Sequence, residues 1–189
     1  MKTKIGKSTV SLSLLIFLVI ACSPYGYNKQ INKKIVIADI MMNASATETY
    51  NYLENSSNAK EWSTFVKDII PLNEVSYADG EIGSIRRCYG KDSSIVWDER
   101  IVLVSTNKLR ELSISNAKGF PLYVEGLITQ QIYSKLPDGQ SKLSLTLYIK
   151  DEASSTLSNL KFYLGAYKVK RILAANLKNI KKHVETRSV

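Results

Sequence analysis

The sequence FYLGAYKVKRILAANLKNIKKHV, residues 162–184, contains the pattern that decides the fold. Its apolar residues recur every three or four positions, which places them on one face of an α-helix. That face consists of Phe162, Ala166, Val169, Leu173, Leu177, Ile180 and Val184. The stretch from about Ser155 to Glu185 contains no proline and only one glycine, Gly165. We therefore predict a long amphipathic helix over this stretch.

Strand-like runs precede this helix, and short turns containing glycine, aspartate or asparagine separate most of them. We predict strands at about 35–40, 69–77, 82–89, 95–105, 109–115, 123–133 and 142–150. Strands that are joined by short Gly and Asp turns form an antiparallel meander. Between the first two strands, residues up to Leu53 and residues 58–65 predict two short helices, the first capped by Asn43 or Ser45.

The predicted elements define an α+β architecture. A curved sheet of six or seven antiparallel strands must wrap around the long helix, because the apolar surfaces of both would otherwise stay in water. The 189 residues, 44% hydrophobic and 23% charged, fit one globular domain. Two cysteines and one histidine exclude a disulfide scaffold and a four-cysteine zinc site. We predict no metal and no cofactor.

The sequence opens with a basic segment that contains Lys2, Lys4 and Lys7, followed by an apolar run over residues 10–21. A run of about a dozen residues is too short to span a bilayer as a helix. A basic start, a short apolar stretch and a small residue at its end are typical of a secretory signal peptide. We therefore predict that residues 1–21 are a signal peptide.

The sequence Val19-Ile20-Ala21-Cys22 resembles the lipobox of bacterial lipoproteins. In that family the chain is cut before the cysteine, which is then acylated and anchors the protein to a membrane. The resemblance implies lipidation of Cys22, a flexible tether over 22–34 and a folded domain over 35–189. It also implies the bacterial cell envelope, and Ser23 is compatible with the outer membrane of a diderm. The alternatives are an ordinary signal peptide with a chance cysteine, or an uncleaved anchor.

The order of the predicted elements (a strand, two short helices, a meander and a long helix) resembles the helix-grip superfamily. This superfamily, also named SRPBCC, includes START domains, birch pollen allergens and polyketide cyclases or dehydratases. Local motifs add to the resemblance, several of them to the polyketide cyclase branch. They are residues 44–53, Trp62, GSIRRC at 83–88, WDERI at 97–101, GFPL at 119–122 and LKNIKK at 177–182. The resemblance spans about residues 35–187 and implies a helix-grip fold.

In this superfamily the helix and the curved sheet enclose a cavity, so the resemblance implies an apolar or amphipathic ligand such as a lipid, a sterol or a polyketide. Alternation along the strands proposes the side chains that line it. The candidate ligand-binding residues are Arg87, Tyr89, Trp97, Glu99, Ile101, Leu112, Ile114, Tyr123, Leu145, Leu147 and Leu173. The same alternation places Leu103 on the inward face, and Asp98 and Arg100 on the solvent face.

The carboxylate of Glu99 falls on the predicted inward face. A buried carboxylate needs a partner or a proton, and Arg87 on the neighbouring predicted strand can pair with it. We favour a structural ion pair at the mouth of the cavity, and the alternative is a polar anchor or an acid–base group. Glu99 and Arg87 are therefore the only catalytic candidates. His183 lies near the end of the predicted helix, where a cation suits the helix dipole, and we expect no catalysis from it.

Positive charge is concentrated in the predicted helix. Of a formal net charge of +9, residues 154–189 contribute eight basic groups and one acidic group. This is either a solvated helix face or a surface that attracts anionic lipids. The modules that read or stack on bases are missing, so we expect no nucleic acid partner. We expect a monomer.

These observations predict an envelope lipoprotein with one helix-grip domain. Its expected role is the reversible binding of a hydrophobic small molecule or lipid, without catalysis. The first alternative is an enzyme of the polyketide cyclase or dehydratase type. The second is a protein-interaction module whose cavity is filled by its own side chains.

Overall fold

A computed structural model describes residues 23–30, 33–122, 126–150 and 156–187. The helices are α1 (Ala46–Glu54), α2 (Ala59–Trp62) and α3 (Thr156–Arg187), with 3-10 turns at Ser56–Asn58 and Pro137–Gly139. The strands are β1 (Gly26–Asn28), β2 (Lys33–Met42), β3 (Val66–Pro71), β4 (Ile85–Gly90), β5 (Val96–Ser105), β6 (Leu109–Lys118), β7 (Leu127–Lys135) and β8 (Ser141–Lys150).

The strands form one eight-stranded antiparallel sheet in the order β1-β2-β8-β7-β6-β5-β4-β3. Strands β4 to β8 form the predicted meander, and β2 closes the sheet beside β8. The chain therefore returns after α1 and α2 to the far edge of the sheet at β3. This strand order, a long terminal helix and two short helices confirm the predicted α+β architecture.

The eighth strand comes from the segment that was predicted to be a flexible tether. Residues 26–28 pair with Lys33–Ile35 of β2, and Pro24 is buried. The ring of Tyr25 packs edge-on against Phe162 of α3, with 5.0 Å between the ring centroids. A short strand can form here because β2 offers unpaired backbone groups at the edge of the sheet. The ordered domain thus begins before residue 35.

Helix α3 packs against the sheet with the predicted apolar face. Ala166, Val169, Leu177, Ile180 and Val184 are buried. Phe162 and Leu173 are partly buried against the core, and Leu173 contacts both of its clusters. One cluster joins the second half of α3 to α1, and the other joins the first half to β4, β5 and the segment after α2.

The segment between β2 and β4 agrees only in part with the structure that the sequence predicts. Ser45 caps α1, since its Oγ accepts from Glu48 N and the Glu48 carboxylate accepts from Ser45 N, which is a capping box. The strand predicted at 69–77 was wrong beyond Pro71, and residues 73–84 form turns that place Asn73 against the start of β4.

A β-bulge in β5 overturns the inward placement of Leu103. The register with β6 shifts between Ile101 and Leu103, and Leu103 is exposed. A bulge inserts one extra residue into a strand and therefore reverses which residues face the core beyond it. Val104 takes the inward position instead and packs against the core.

Replacing Leu177 by Ala tests the packing of α3. We expect a loss of about 2–5 kcal/mol in the free energy of unfolding, because the substitution leaves a cavity at a side chain that is fully buried. Leu164→Ala is the matched control, since Leu164 lies on the exposed face of the same helix and its loss should stay within about 0.5 kcal/mol. Urea unfolding measures both, and equal losses would contradict the packing.

Candidate functional site

A cavity of about 130 Å³ lies between α3 and the concave face of the sheet. Its wall is mainly apolar and is formed by Trp62, Phe65, Val66, Trp97, Leu112, Ile114, Phe120, Pro121, Leu145, Leu147, Val169, Ile172 and Leu173. Polar residues contribute the rest of the wall, and they are Ser63, Arg86, Glu99, Thr129, Gln130, Gln131, Thr146 and Asn176. An apolar enclosure with a few convergent polar groups is the usual form of a small-molecule site.

Arg86 and Glu99 form an ion pair in this wall. Both Nε and Nη2 of Arg86 donate to Glu99 Oε2, over 2.8 and 2.7 Å, and the indole Nε1 of Trp97 donates to Glu99 Oε1 over 2.9 Å. The two side chains are only 13% and 15% exposed. Direct cross-strand pairing of Arg86 with Glu99 on β4 and β5 sets this geometry.

The ion pair keeps Glu99 ionised. Burial by itself would raise the pKa of this carboxyl group. The Arg86 charge and the hydrogen bonds from Trp97 and Arg86 outweigh burial, and they hold the pKa below its ordinary value. Glu99 is therefore a hydrogen-bond acceptor at neutral pH and has no proton to donate.

The predicted partnership of Glu99 with Arg87 is wrong. Arg87 projects from the opposite face of β4 and forms two hydrogen bonds to Asp98, of 2.7 and 2.9 Å. Asn116 donates a third to the same carboxylate over 2.7 Å. Asp98 lies away from the cavity, as the alternation predicted, but these partners bury it. The sequence did not decide which face of β4 is directed toward the cavity, because arginines occupy both faces of this strand.

Seven of the predicted ligand-binding residues line the cavity, namely Trp97, Glu99, Leu112, Ile114, Leu145, Leu147 and Leu173. Three do not. Arg87 and Tyr89 share the outer face of β4, and Ile101 is buried outside the cavity wall. Tyr123 and Cys22 lie outside the described residues.

Three aromatic rings close one side of the cavity. Phe65 stacks on Trp97 with 5.2 Å between the ring centroids, and Phe120 meets both rings edge-on at 5.8 and 5.7 Å. Phe65 and Phe120 lie in connecting segments, so strand alternation could not propose them. Trp62 also lines the wall, and its buried indole Nε1 has no hydrogen-bond partner among the described residues.

No family model matches the sequence, and no curated protein does either. Solved structures are similar to it in fold. The aromatase/cyclase Zhui from a Streptomyces species has a TM-score of 0.67 at 14% identity, over 83% of this chain and 96% of that chain. A norcoclaurine synthase point mutant from Thalictrum flavum gives 0.63 at 13% identity, over 83% and 97%. The major latex-like protein of Panax ginseng gives 0.59 at 9% identity, over 80% and 97%.

This chain has the helix-grip fold. The predicted resemblance to the helix-grip superfamily is confirmed at the level of fold, since all three solved proteins belong to that superfamily. Nearly the whole of each solved chain is matched, so the domain corresponds in extent to those solved chains.

One glycine lets a loop of the helix-grip cavity wall pack closely against α3. A Cβ atom on Gly165 would lie 2.6 Å from both the carbonyl oxygen of Pro121 and Cδ2 of Leu122. Only glycine allows this approach, which explains why the single glycine of the predicted helix lies here. The segment after Gly119 thus packs on α3 and brings Phe120 and Pro121 into the cavity wall.

Two asparagines of α3 fix the other rim of the cavity. Asn176 Oδ1 accepts from both N and Oγ1 of Thr64, over 2.8 and 2.9 Å, and Asn179 Nδ2 donates to the Trp62 carbonyl over 2.9 Å. The segment that follows α2 is thereby held on the helix. The positions of Trp62 and Phe65 in the wall depend on these bonds.

A second arginine is buried outside the cavity wall. Arg110 is 1% exposed, it pairs across strands with Gln131, and its Nη1 donates to the Leu53 carbonyl over 2.9 Å. Its Nε and Nη2 have no hydrogen-bond partner among the described residues. Burial and then the nearby Arg86 charge lower the pKa of this guanidinium.

The remaining predictions about chemistry concern groups that do not line the cavity. His183 stacks on Tyr52 with ring centroids 6.2 Å apart, and its Nδ1 lies 3.8 Å from Glu61. Burial raises the pKa of the Cys88 thiol, which disfavours the reactive thiolate. Within the described ranges, no three His, Cys, Asp or Glu side chains are grouped to hold a metal ion.

Replacing Glu99 by Gln tests the ion pair. The substitution leaves the Arg86 charge buried without its partner, and we expect a loss of about 3–5 kcal/mol in the free energy of unfolding at neutral pH. Because the pKa of Glu99 is lowered on folding, its contribution is present above its unfolded pKa and disappears as the pH falls through the folded pKa. The wild type should therefore lose more stability on acidification than Glu99→Gln does.

Denaturant unfolding at neutral and acid pH measures both effects. The double variant Arg86→Met/Glu99→Gln is the control, since removing both charges should cost less than the sum of the single losses. The pairing would be contradicted if the losses of the single variants added up in the double variant and the loss of stability at acid pH were the same for all variants.

Proposed function

We propose that this protein binds a hydrophobic or amphipathic small molecule in the helix-grip cavity, and that it does so as a lipoprotein of the bacterial envelope. The observation that carries the binding proposal is the cavity itself, which has an aromatic and aliphatic wall and an ion pair at one point. A site of this composition favours a ligand that has an apolar body and a polar group.

The volume of the cavity limits what fits inside it. About 130 Å³ is close to the roughly 150 Å³ of an engineered apolar cavity that holds benzene. Drug-sized ligands occupy pockets of about 300–1,000 Å³. The cavity therefore accommodates a group about the size of one aromatic ring. A larger ligand must extend beyond this space or displace part of the wall.

The polar groups of the wall indicate what the ligand carries. Arg86 and Glu99 form an ion pair in the wall. Glu99 accepts two hydrogen bonds from Arg86 and one from Trp97. We therefore propose that the ligand presents its polar group to this ion pair.

Catalysis is the weaker proposal. The similar solved proteins include an aromatase/cyclase and a synthase, so the fold carries enzymes. A general acid must hold a proton near neutral pH, and the lowered pKa of Glu99 disfavours that role. Arg87, the other catalytic candidate, lies on the outer face of the sheet with Asp98. A binding protein fits these observations better than a cyclase does.

Replacing Val169 by Phe tests whether ligands bind inside the cavity. Val169 is buried in the wall, so a phenyl ring at this position should occupy the space. We expect toluene and benzyl alcohol to bind the wild type, and to bind Val169→Phe at least tenfold more weakly. Changes in the fluorescence of Trp62 and Trp97, which both line the cavity, report the binding.

Two variants make this experiment specific. Val102→Phe adds the same ring on the exposed face of β5 and should leave binding unchanged. Trp62→Ala should weaken the binding of both probes, because it removes part of the apolar wall. Wild-type protein that binds neither probe, or binding that survives Val169→Phe, would refute the proposed cavity site and favour the interaction-module alternative.

The envelope location rests on the N-terminal sequence and is tested at Cys22. We expect Cys22→Ala to move the protein from the membrane fraction to the soluble fraction, because acyl chains supply the anchor. The described part of the chain contains no helix long and apolar enough to cross a membrane. Cys88→Ala is the control and should leave the protein in the membrane fraction. Incorporation of labelled palmitate should follow the same pattern, and membrane retention of Cys22→Ala would refute the anchor.

A further inference from the structure

Large apolar side chains lie on the outer face of α3, opposite the face that packs on the sheet. Leu160, Leu164 and Tyr167 are 56, 60 and 53% exposed. Together with Arg171 they are spaced by four, three and four positions and form one ridge along the helix. Lys161 and Lys168 are exposed beside this ridge. We name these six residues the α3 ridge.

The α3 ridge combines two properties that a bilayer surface recognises. Leucine and tyrosine side chains enter the boundary between headgroups and acyl chains, and flanking cations attract anionic lipids. No ion pair of the described residues involves Lys161, Lys168 or Arg171. The charge of Lys168 does help to lower the pKa of Asp92. By contrast, Lys181 and Arg187 in the second half of α3 contact Glu185 and Glu61.

The start of the described chain lies at the same end of the molecule. Pro24 is buried and Tyr25 packs on Phe162, within the turns of α3 that carry Leu160 and Leu164. Consecutive Cα atoms are about 3.8 Å apart, so an anchor at the predicted lipidation site, the residue before Ser23, would hold a bilayer near this end. Because Pro24 is buried and β1 begins at Gly26, little chain separates the predicted anchor from the domain.

The ridge also adjoins the cavity. Ile172 lines the cavity, and it lines a surface groove that it shares with Thr64, Tyr167, Lys168 and Arg171. A surface that contacts this groove therefore lies beside the cavity wall.

From these observations we infer that the α3 ridge docks on an anionic lipid bilayer and presents the Ile172 side of the cavity to the headgroups. The inference rests on the proposed envelope location, but it does not require that the cavity be occupied. Docking places the groove where an amphipathic ligand can pass between the bilayer and the protein.

Vesicle binding of residues 23–189 tests the ridge without the anchor. This unit contains the whole sheet and α3, and it corresponds in extent to the solved chains. We expect it to cosediment with vesicles of phosphatidylcholine containing phosphatidylglycerol, and not with phosphatidylcholine alone. Lys168→Gln/Arg171→Gln should weaken binding about thirtyfold, because each cation near an anionic surface contributes roughly 1 kcal/mol to the binding free energy. Leu160→Ser/Leu164→Ser should weaken it at least tenfold.

A matched pair of charge changes on the same helix is the control. Lys178→Gln/Lys182→Gln removes the same charge from the second half of α3, and we expect less than a twofold effect. An equal loss in this control would show that net charge alone drives binding and would overturn the ridge. Absence of wild-type binding to the vesicles would also overturn it. So would sedimentation data showing that the protein self-associates through Leu160 and Leu164. The toluene and benzyl alcohol measurements are independent of all these results, so failure of docking is distinguishable from failure of cavity binding.

Discussion

Burial of one face of α3 against the concave side of an antiparallel sheet is the constraint on which the rest of the structure depends. Residues such as Leu177 and Ile180 leave water only if the sheet curves around them. Each fully buried side chain of this size contributes about 1.5–3 kcal/mol, so one helix face supplies a large share of the driving force. The other elements are arranged to complete that enclosure.

The cavity follows from the same constraint. Rings from connecting segments, Phe65 and Phe120, close the space that the curved sheet and the helix leave between them. The Arg86–Glu99 pair in its wall is costly to bury, and direct cross-strand pairing with an indole donor offsets that cost. A protein that only filled its core could have used apolar residues at these two positions. We therefore interpret the ion pair as part of a polar end to the site.

The sequence predicted the parts of the fold that depend on periodicity. The face of α3, the meander and a cap at Asn43 or Ser45 were predicted, because spacings of three and four residues, short Gly and Asp turns and N-cap residues are local signals. Strand β1 was missed, since three residues beside Pro24 form a strand only when β2 offers its edge. Such pairing is a property of the tertiary structure.

The site was less predictable for similar reasons. Alternation correctly placed Trp97 and Glu99 in the wall, but β4 carries Arg86 and Arg87 on opposite faces and no local pattern decides between them. The bulge after Ile101 reversed the facing of Leu103. Phe120 reaches the cavity through the loop contact at Gly165, and Trp62 at the end of α2 is held by Asn179 of α3. Only the folded chain brings these groups together.

The cavity is proposed to hold a small molecule. Native mass spectrometry of the full-length protein purified from membranes, combined with organic extraction and identification of the extract, tests this proposal most directly. We expect a discrete adduct whose extracted compound has an apolar ring-sized group and a polar group. A clean apo mass, with no compound recovered in excess of a matched membrane protein preparation, would contradict it.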